Sequence, residues 1–172
     1  MLCVYHFAES TIDGSDELEV QMLTWNEFAH RCPEISSTGA RLLELNEVAF
    51  LATVSATERP RIHPFVPRIV EHRLVAFIMD SSPKIQDLRV TEQYAIHTLP
   101  GPEDEEFFIS GIATSCNEDA SYRNTVAEAM GFATGVDKHH ILYEFNIDRA
   151  LWTRWLDFGT PDHRPDRQLW RA

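Results

Sequence analysis

The sequence predicts a mainly β fold, an antiparallel β-barrel with helices packed around it. Short runs of β-branched and aromatic residues, linked by turn residues, outnumber the helical stretches. The run at 61–70 alternates between two faces with the period of a strand. The chain contains no glycine-rich dinucleotide motif, no Walker-type phosphate loop and no internal repeat, which argues against a doubly wound parallel sheet.

Two helices are predicted before the first strand. Thr24 is a suitable N-cap, and Glu27 follows it at the spacing of a capping box. Pro33 and Glu34 are typical of the first turn of a second helix. The second helix would carry four apolar residues, Ile35, Leu42, Leu43 and Leu45.

The next three apolar runs predict a β-meander with strands at 48–55, 61–70 and 74–79. Turn residues separate the runs, as expected for strands joined by short connections. Pro64 and Pro67 lack the N–H group that a sheet ladder requires. Part of the second strand is therefore expected at a sheet edge or against a ligand.

A short helix is expected to interrupt the sheet after the third strand. Ser82 and Pro83 form an N-cap followed by a proline at the first helical position. The helix is expected to end near Val90, and the apolar run at 93–99 predicts the next strand.

The last third of the chain predicts a long strand, a helix and one or two further strands. The long strand, at 107–116, is expected to bend at Gly111. The helix is expected to be capped by Asn117 and ended by Gly131. The final strands are expected at 139–156 and, as a short edge strand, at 167–172.

One domain is expected, at residues 22–172, after a flexible acidic leader at 1–21. The full length of 172 residues is that of a single ordinary domain with a sizeable core. The leader contains no Lys or Arg and has no useful hydrophobic period. It holds five carboxylates, Glu9, Asp13, Asp16, Glu17 and Glu19.

The net charge limits the partners of the protein. With 15 basic and 27 acidic residues the formal charge is −12, which disfavours binding to nucleic acids and to anionic membranes. The segment 59–73 is an exception, since four arginines outnumber its single glutamate: Arg59, Arg61, Arg68, Arg73 and Glu71. A basic segment in an acidic protein indicates an anion site.

The cysteine pattern is typical of a cytoplasmic protein. Cys3, Cys32 and Cys116 are widely separated and are expected to be reduced thiols. No apolar run approaches the roughly 18 residues that a membrane-spanning helix requires. His139 and His140 point apart on any regular element, so no metal site is expected there.

Two features predict a phosphate-binding site, and the position of Lys84 in the first turn of a helix is the third. Arg61, His63 and Phe65 alternate, so they project from one face of a strand. The arginine and histidine supply hydrogen-bond donors that suit a phosphate. The segment at 80–84 joins two serine hydroxyls, a helix start and Lys84, and helix N-termini favour anions.

Each of these features has a simpler alternative. Arg59 and Arg61 could be solvated charges of an edge strand, and the serine-proline segment could be a helix cap and nothing more. Their combination favours the phosphate site. A lysine in the first turn of a helix also opposes the helix dipole unless an anion is present.

The segments "FLATVS", "RIHPFVPRIV", "SSPK" and "FFISGIA" resemble the FMN-binding split barrel of the pyridoxamine 5′-phosphate oxidase superfamily. The resemblance covers roughly residues 22–172 and is strongest over 48–115. It implies a six-stranded antiparallel split β-barrel that forms a homodimer. It also implies an FMN in each groove between the two protomers.

The resemblance implies which residues bind the FMN. The phosphate would be held by Arg61 or His63, together with Ser81, Ser82 and Lys84. The isoalloxazine ring would be bordered by the second strand, at Pro64, Phe65, Val66 and Pro67. The ribityl chain would be flanked by Ile78 and Met79.

The resemblance also implies that the partner protomer adds groups from its C-terminal strands. The candidates are Trp152, Trp155, Trp170 and Arg171. Trp152 and Trp155 would face opposite sides of a strand, so at least one of them is expected in the core or in the dimer interface.

Two departures from the family pattern bear on the function. His63 stands where the true oxidases carry an arginine, and Arg61 on the same face is a candidate to compensate. The Arg-x-His pair with which the oxidases hold their vitamin substrate is missing near the C-terminus. The second departure argues against synthesis of pyridoxal phosphate.

The resemblance leaves three hypotheses for the function. The first is an FMN-dependent oxidoreductase that performs two-electron transfer with a small-molecule substrate. No catalytic acid or base is expected, because the flavin supplies the redox chemistry. The second is a reductase that uses the deazaflavin F420. The third is a binding or sensing module that carries flavin or haem without turnover.

Overall fold

The computed structural model describes residues 21–116, 119–132 and 136–172. The expected leader at 1–21 lies outside these ranges apart from Gln21. The four helices of the described chain are α1 (Trp25–Arg31), α2 (Pro33–Asn46), α3 (Pro83–Thr91) and α4 (Ala120–Ala129). Its eight strands are β1 (Ala49–Val54), β2 (Pro60–Phe65), β3 (Arg68–Val70), β4 (Arg73–Met79), β5 (Gln93–Thr98), β6 (Glu105–Ser115), β7 (His140–Leu156) and β8 (Arg164–Arg171).

Local sequence signals explain most helix boundaries. The predicted capping box is confirmed: the Glu27 N–H donates to the Thr24 hydroxyl at 3.3 Å, and the Glu27 carboxylate accepts from the Thr24 N–H at 2.8 Å. Pro33 opens α2 as expected. Asp119 caps α4, accepting from the Tyr122 N–H at 2.9 Å. The predicted cap, Asn117, lies outside the described residues.

All strand pairings are antiparallel, and the sheet runs in the order β2-β1-β5-β6-β7-β4-β3. The 17-residue strand β7 is central to this arrangement. On one side it pairs with β6, and on the other it pairs first with β4 and then with β8. The bend expected at Gly111 is a register shift between Ser110 and Gly111 in the β6–β7 ladder.

The pairings of the predicted three-stranded meander are confirmed, but its second strand is not continuous. Val66 and Pro67 divide the expected strand 61–70 into β2, which pairs with β1, and β3, which pairs with β4 at the opposite end of the sheet. Pro67 has no N–H for a ladder and restricts the backbone of the residue before it, so the two residues form a break. The two halves of the predicted second strand therefore lie at opposite ends of the strand order, β2 at one end and β3 at the other.

The strand count agrees with a split barrel when β2 and β3 are taken as one bent strand. The path then has six strands, and β8 lies off this path, paired with the second half of β7. Within the described residues no ladder pairs β2 with β3, so the sheet is open between its edges. The edge position of β2 matches the expectation from its prolines.

Two buried clusters hold the helices to the sheet. The larger cluster lies on the inner face of the sheet and receives α1, α2 and α3, with Phe28, Leu42 and Ile85 fully buried. The smaller cluster joins α4 to the outer face of β4 and β7 through Val126 and Leu142. None of the helices in the described ranges has the length and apolar content needed to cross a membrane.

Candidate functional site

The inward face of β2 carries the residues that the sequence placed together. Arg61, His63 and Phe65 alternate with exposed residues along the strand, and Phe65 is fully inside the core. Pro60, Ile62 and Pro64 form the outward face.

The start of α3 lies against the end of β2. Lys84 is in the first turn of α3, and its Nζ donates to the Pro64 carbonyl oxygen at 3.0 Å. Ser82 is the N-cap residue, but its hydroxyl makes no capping bond to the helix. Ser81 is exposed beside it. The first turn of α3 therefore combines a cation with unused hydrogen-bonding capacity.

A buried carboxylate, which the sequence did not reveal, completes the group. Asp87 is 3% exposed on the inner face of α3. Its Oδ2 accepts a hydrogen bond from the Thr53 hydroxyl at 2.8 Å, and its Oδ1 lies 3.4 Å from Arg61 Nη1. These contacts connect β1, β2 and α3 and draw the Arg61 guanidinium towards α3. No local pattern in the sequence marks Asp87, because its partners reach it through the packing of α3 against β1 and β2.

His63 is surrounded by these charges. Burial is the main cause that lowers the pKa of His63, and the positive charges of Lys84 and Arg61 lower it further, while Asp87 opposes them. Its Nε2 is buried and has no hydrogen-bond partner among the described residues. Burial also lowers the pKa of Lys84. A bound anion would oppose both shifts, because it favours the charged forms of Lys84 and His63, and it would add a partner to two cations that share one buried carboxylate.

The group of Arg61, His63, Ser82, Lys84 and Asp87, here called the anion site, fits the phosphate of FMN. It offers guanidinium, ammonium, imidazole and hydroxyl donors at one place. Exposed apolar residues that suit contact with a flat aromatic ring are close in sequence to the members of the anion site, namely Pro64, Val66 and Met79.

The other predicted site residues lie elsewhere. Ile78, like Phe65, is buried in the main core and underlies the surface. Trp152 packs against the core, and its Nε1 donates to Glu105 Oε2 at 3.3 Å. The ring of Trp170 packs on Phe28 of α1 at 5.1 Å. Both tryptophans therefore pack within this chain, Trp170 against α1 and Trp152 against the core beside Glu105.

Trp155 and the two adjacent histidines have partners of other kinds. Trp155 stacks on His163 at 5.1 Å between ring centroids in the β7–β8 hairpin. His139 and His140 each contact a carboxylate, Asp80 at 3.1 Å and Asp137 at 2.9 Å. Across the described ranges, no three potential metal ligands lie together in one group.

The sequence matches no protein-family model and no curated protein. The structure, however, is similar to several solved structures. A putative pyridoxamine 5′-phosphate oxidase from Listeria innocua is 16% identical with a TM-score of 0.59, and the match covers 68% of this chain and 96% of that one. A pyridoxamine 5′-phosphate oxidase-related, FMN-binding protein from Nostoc punctiforme is 16% identical with a TM-score of 0.57, covering 79% and 96%.

A third similar structure has a different ligand. HutZ, the haem storage protein from Vibrio cholerae, is 15% identical with a TM-score of 0.56, and the match covers 66% of this chain and 90% of HutZ. Identities at this level show a common fold. They do not show that two proteins of that fold bind the same ligand. The chain therefore has the fold of the pyridoxamine 5′-phosphate oxidase-like split-barrel superfamily, as the resemblance of its sequence implied.

Proposed function

We propose that the protein binds FMN and acts as a flavin-dependent oxidoreductase on a small-molecule substrate. The observation that carries the proposal is the anion site. Two cations, an imidazole and a free N-cap hydroxyl meet there beside an edge strand. The FMN-binding protein of the same fold supports the choice of ligand.

Each residue of the anion site would contribute a different group to the binding of a phosphate. Lys84 supplies a charge in the first turn of α3, where the helix N–H groups also favour an anion. Arg61 supplies a planar guanidinium whose direction is set by Asp87. Ser82 keeps its hydroxyl available because it makes no capping bond. His63 is within electrostatic range of both cations.

The surface beside the anion site would orient the ring system. Pro64, Val66 and Met79 are exposed apolar residues that exclude water from one face of a flat ligand. FMN, when bound, supplies the capacity for two-electron transfer. The cationic residues at one end fix which edge of the ligand faces the substrate. We leave Trp152 and Trp170 out of the proposed site, because they pack within their own protomer.

We also propose that the protein is a homodimer that pairs through the outer face of β1, β2 and β5. Ile62 is 70% exposed and Phe50 is 39% exposed on this face. Phe50 lies between Pro64 and His97 in the register, and these outward residues belong to neither buried cluster. Because a contiguous apolar face is rare on monomers, a second copy is its simplest cover.

The visible spectrum of the purified protein, followed by a titration with FMN, tests the proposal. We expect the bands of oxidised flavin, or binding of added FMN with quenching of its fluorescence. The bound flavin should then be reduced by an electron donor and reoxidised by substrate. A protein that ignores FMN but binds F420 would overturn the choice of cofactor.

A haem-binding module is the second candidate, favoured by the similarity to HutZ. Its signature is a Soret band after addition of haemin, with no turnover of any electron donor. A Soret band in a protein that does not bind FMN would replace our proposal with this one.

A further inference from the structure

We propose that the anion site selects a phosphate monoester by taking up one proton on His63 as the dianion binds. This inference rests on the proposed FMN function and concerns how the same site distinguishes a terminal phosphate from a phosphodiester.

The charge balance of the anion site leads to this inference. Arg61 and Lys84 bring two positive charges, and the buried Asp87 carboxylate removes one of them. With His63 neutral, the site carries one net positive charge. A phosphodiester carries one negative charge and is balanced by the resting site. A phosphate monoester carries about two negative charges above pH 7, since its second pKa is near 6. A protonated His63 supplies the missing charge.

The position of His63 indicates that it is the group that takes up the proton when the dianion binds. It follows Arg61 by two residues on the same face of β2, and it precedes Pro64, whose carbonyl oxygen receives the Lys84 ammonium at 3.0 Å. From α3 it is faced by Lys84 and Asp87, and its partner on β1 is the uncharged Leu51. Its buried Nε2 has no partner among the described residues, so the resting state leaves a polar atom unsatisfied.

Electrostatics sets the direction of the proton transfer. In the free protein, burial and the two cations lower the pKa of His63, so the imidazole is neutral at neutral pH. A bound dianion reverses the sign of the charge beside the ring and raises that pKa. Because the pKa is higher in the complex, binding takes a proton from solvent. FMN affinity should then fall as pH rises between the two pKa values, by up to about tenfold per pH unit.

The experiment is calorimetric titration of FMN into the full chain at pH 7.5, in two buffers of different ionisation enthalpy. We expect an observed enthalpy that depends on the buffer and corresponds to net proton uptake. Riboflavin, which lacks the phosphate, is the matched ligand control and should bind with no uptake. FAD, in which the FMN phosphate is joined to a second phosphate by an anhydride bond and so carries about one negative charge of its own, should bind more weakly than FMN and with less proton uptake.

Two variants at one position separate a proton acceptor from a residue that only packs. His63→Gln should still bind FMN, more weakly and without proton uptake. His63→Arg should restore affinity and make it independent of pH, because its charge is permanent. The ring signals of His63 in NMR spectra should shift to the protonated form when FMN is added to the wild type.

The outcomes distinguish this inference from the proposed function. If wild-type protein binds FMN with no proton uptake, or if His63→Gln retains the full uptake, the inference is overturned while the proposed function stands. If wild-type protein does not bind FMN at any pH, the proposed function fails and this inference with it.

Discussion

Lys84 joins two parts of the molecule from a position that is unfavourable for a cation. In the first turn of α3 its charge is opposed by the helix dipole, and burial lowers the pKa of its ammonium group. Its hydrogen bond to the Pro64 carbonyl oxygen offsets part of this cost. An anion at the helix start would offset the remainder, which is why we assign Lys84 to ligand binding.

Replacing this lysine tests the assignment. Lys84→Ala should weaken FMN binding by about 1–3 kcal/mol, the cost of losing a charge-assisted contact. Fluorescence titration of FMN measures it. The only other lysine of the chain provides a control, since Lys138→Ala removes the same charge from an exposed turn and should leave FMN affinity unchanged. Equal affinities for both variants and the wild type would remove Lys84 from the site.

Asp87 has a structural role that its variants can separate. Asp87→Ala should reduce the free energy of unfolding by about 1–3 kcal/mol, because the Thr53 hydroxyl loses its acceptor and Arg61 its partner. Asp87→Asn retains an acceptor for Thr53 and should lose less. Urea denaturation measures both losses. An Ala variant as stable as the wild type would show that the buried carboxylate does not hold α3 to the sheet.

Arg61 and Lys84, the cations of the site, could be predicted from the sequence, whereas their counterion Asp87 could not. Arg61, His63 and Lys84 are marked by local signals, namely strand alternation and a proline that starts a helix. The contact of Asp87 with Thr53 spans 34 positions and depends on how α3 packs against β1. Pairings of this kind are decided by tertiary packing, which no local pattern records.

Among the elements, β6 and β7 form the longest ladder, and Gly111 marks its irregularity. A Cβ atom at Gly111 would lie 1.9 Å from the Asn146 carbonyl oxygen, on the backbone of the neighbouring strand. The register shift between Ser110 and Gly111 thus depends on the close approach of two backbones, which glycine permits.

Gly111→Ala should therefore destabilise the protein by about 3 kcal/mol or more, since backbone must move to relieve the contact. The control is Gly159→Ala, where a Cβ meets no atom within 4 Å and the positive φ alone should cost about 1 kcal/mol. Denaturant unfolding of the two variants compares them. Losses of equal size would mean that the ladder shifts easily to accept a side chain.

The elements were predicted well in type and less well in connection. Period and turn residues located the strands, and the capping box and Pro33 located the first helices. The break at Val66 and Pro67 was missed, although Pro67 itself was recognised as a poor ladder residue. The antiparallel pairing of neighbouring runs was predicted correctly. The division of the second run between the two ends of the sheet depends on long-range pairing, which the runs themselves do not record.

For the whole molecule, the proposed homodimer makes a prediction about assembly. Ile62→Asp places a charge on the apolar outer face and should convert the dimer into a monomer in sedimentation velocity, because stable interfaces of this class bury about 2,000 Å² or more. Phe158→Asp is the control, since Phe158 is 76% exposed in the turn between β7 and β8 and belongs to none of the three strands of that face.

Two results would speak against this interface. A wild-type protein that sediments as a monomer at micromolar concentration would remove the homodimer. A dimer that persists in Ile62→Asp but dissociates in Phe158→Asp would move the interface to the hairpin. If the flavin lies between protomers, the monomeric variant should also bind FMN more weakly than the wild type.

The position of β4 in the sheet has a consequence for synthesis of the protein on the ribosome. β4 has β3 on one side and β7 on the other. Met79 pairs with His140, and Val75 pairs with Glu144, so these partners are synthesised more than 60 residues later. During translation this hairpin leaves the exit tunnel with one long edge bare. Bare edges recruit strands from other nascent chains. Chains that stop before His140 should therefore accumulate as aggregates, and the yield of folded protein should rise when chaperones shield the hairpin.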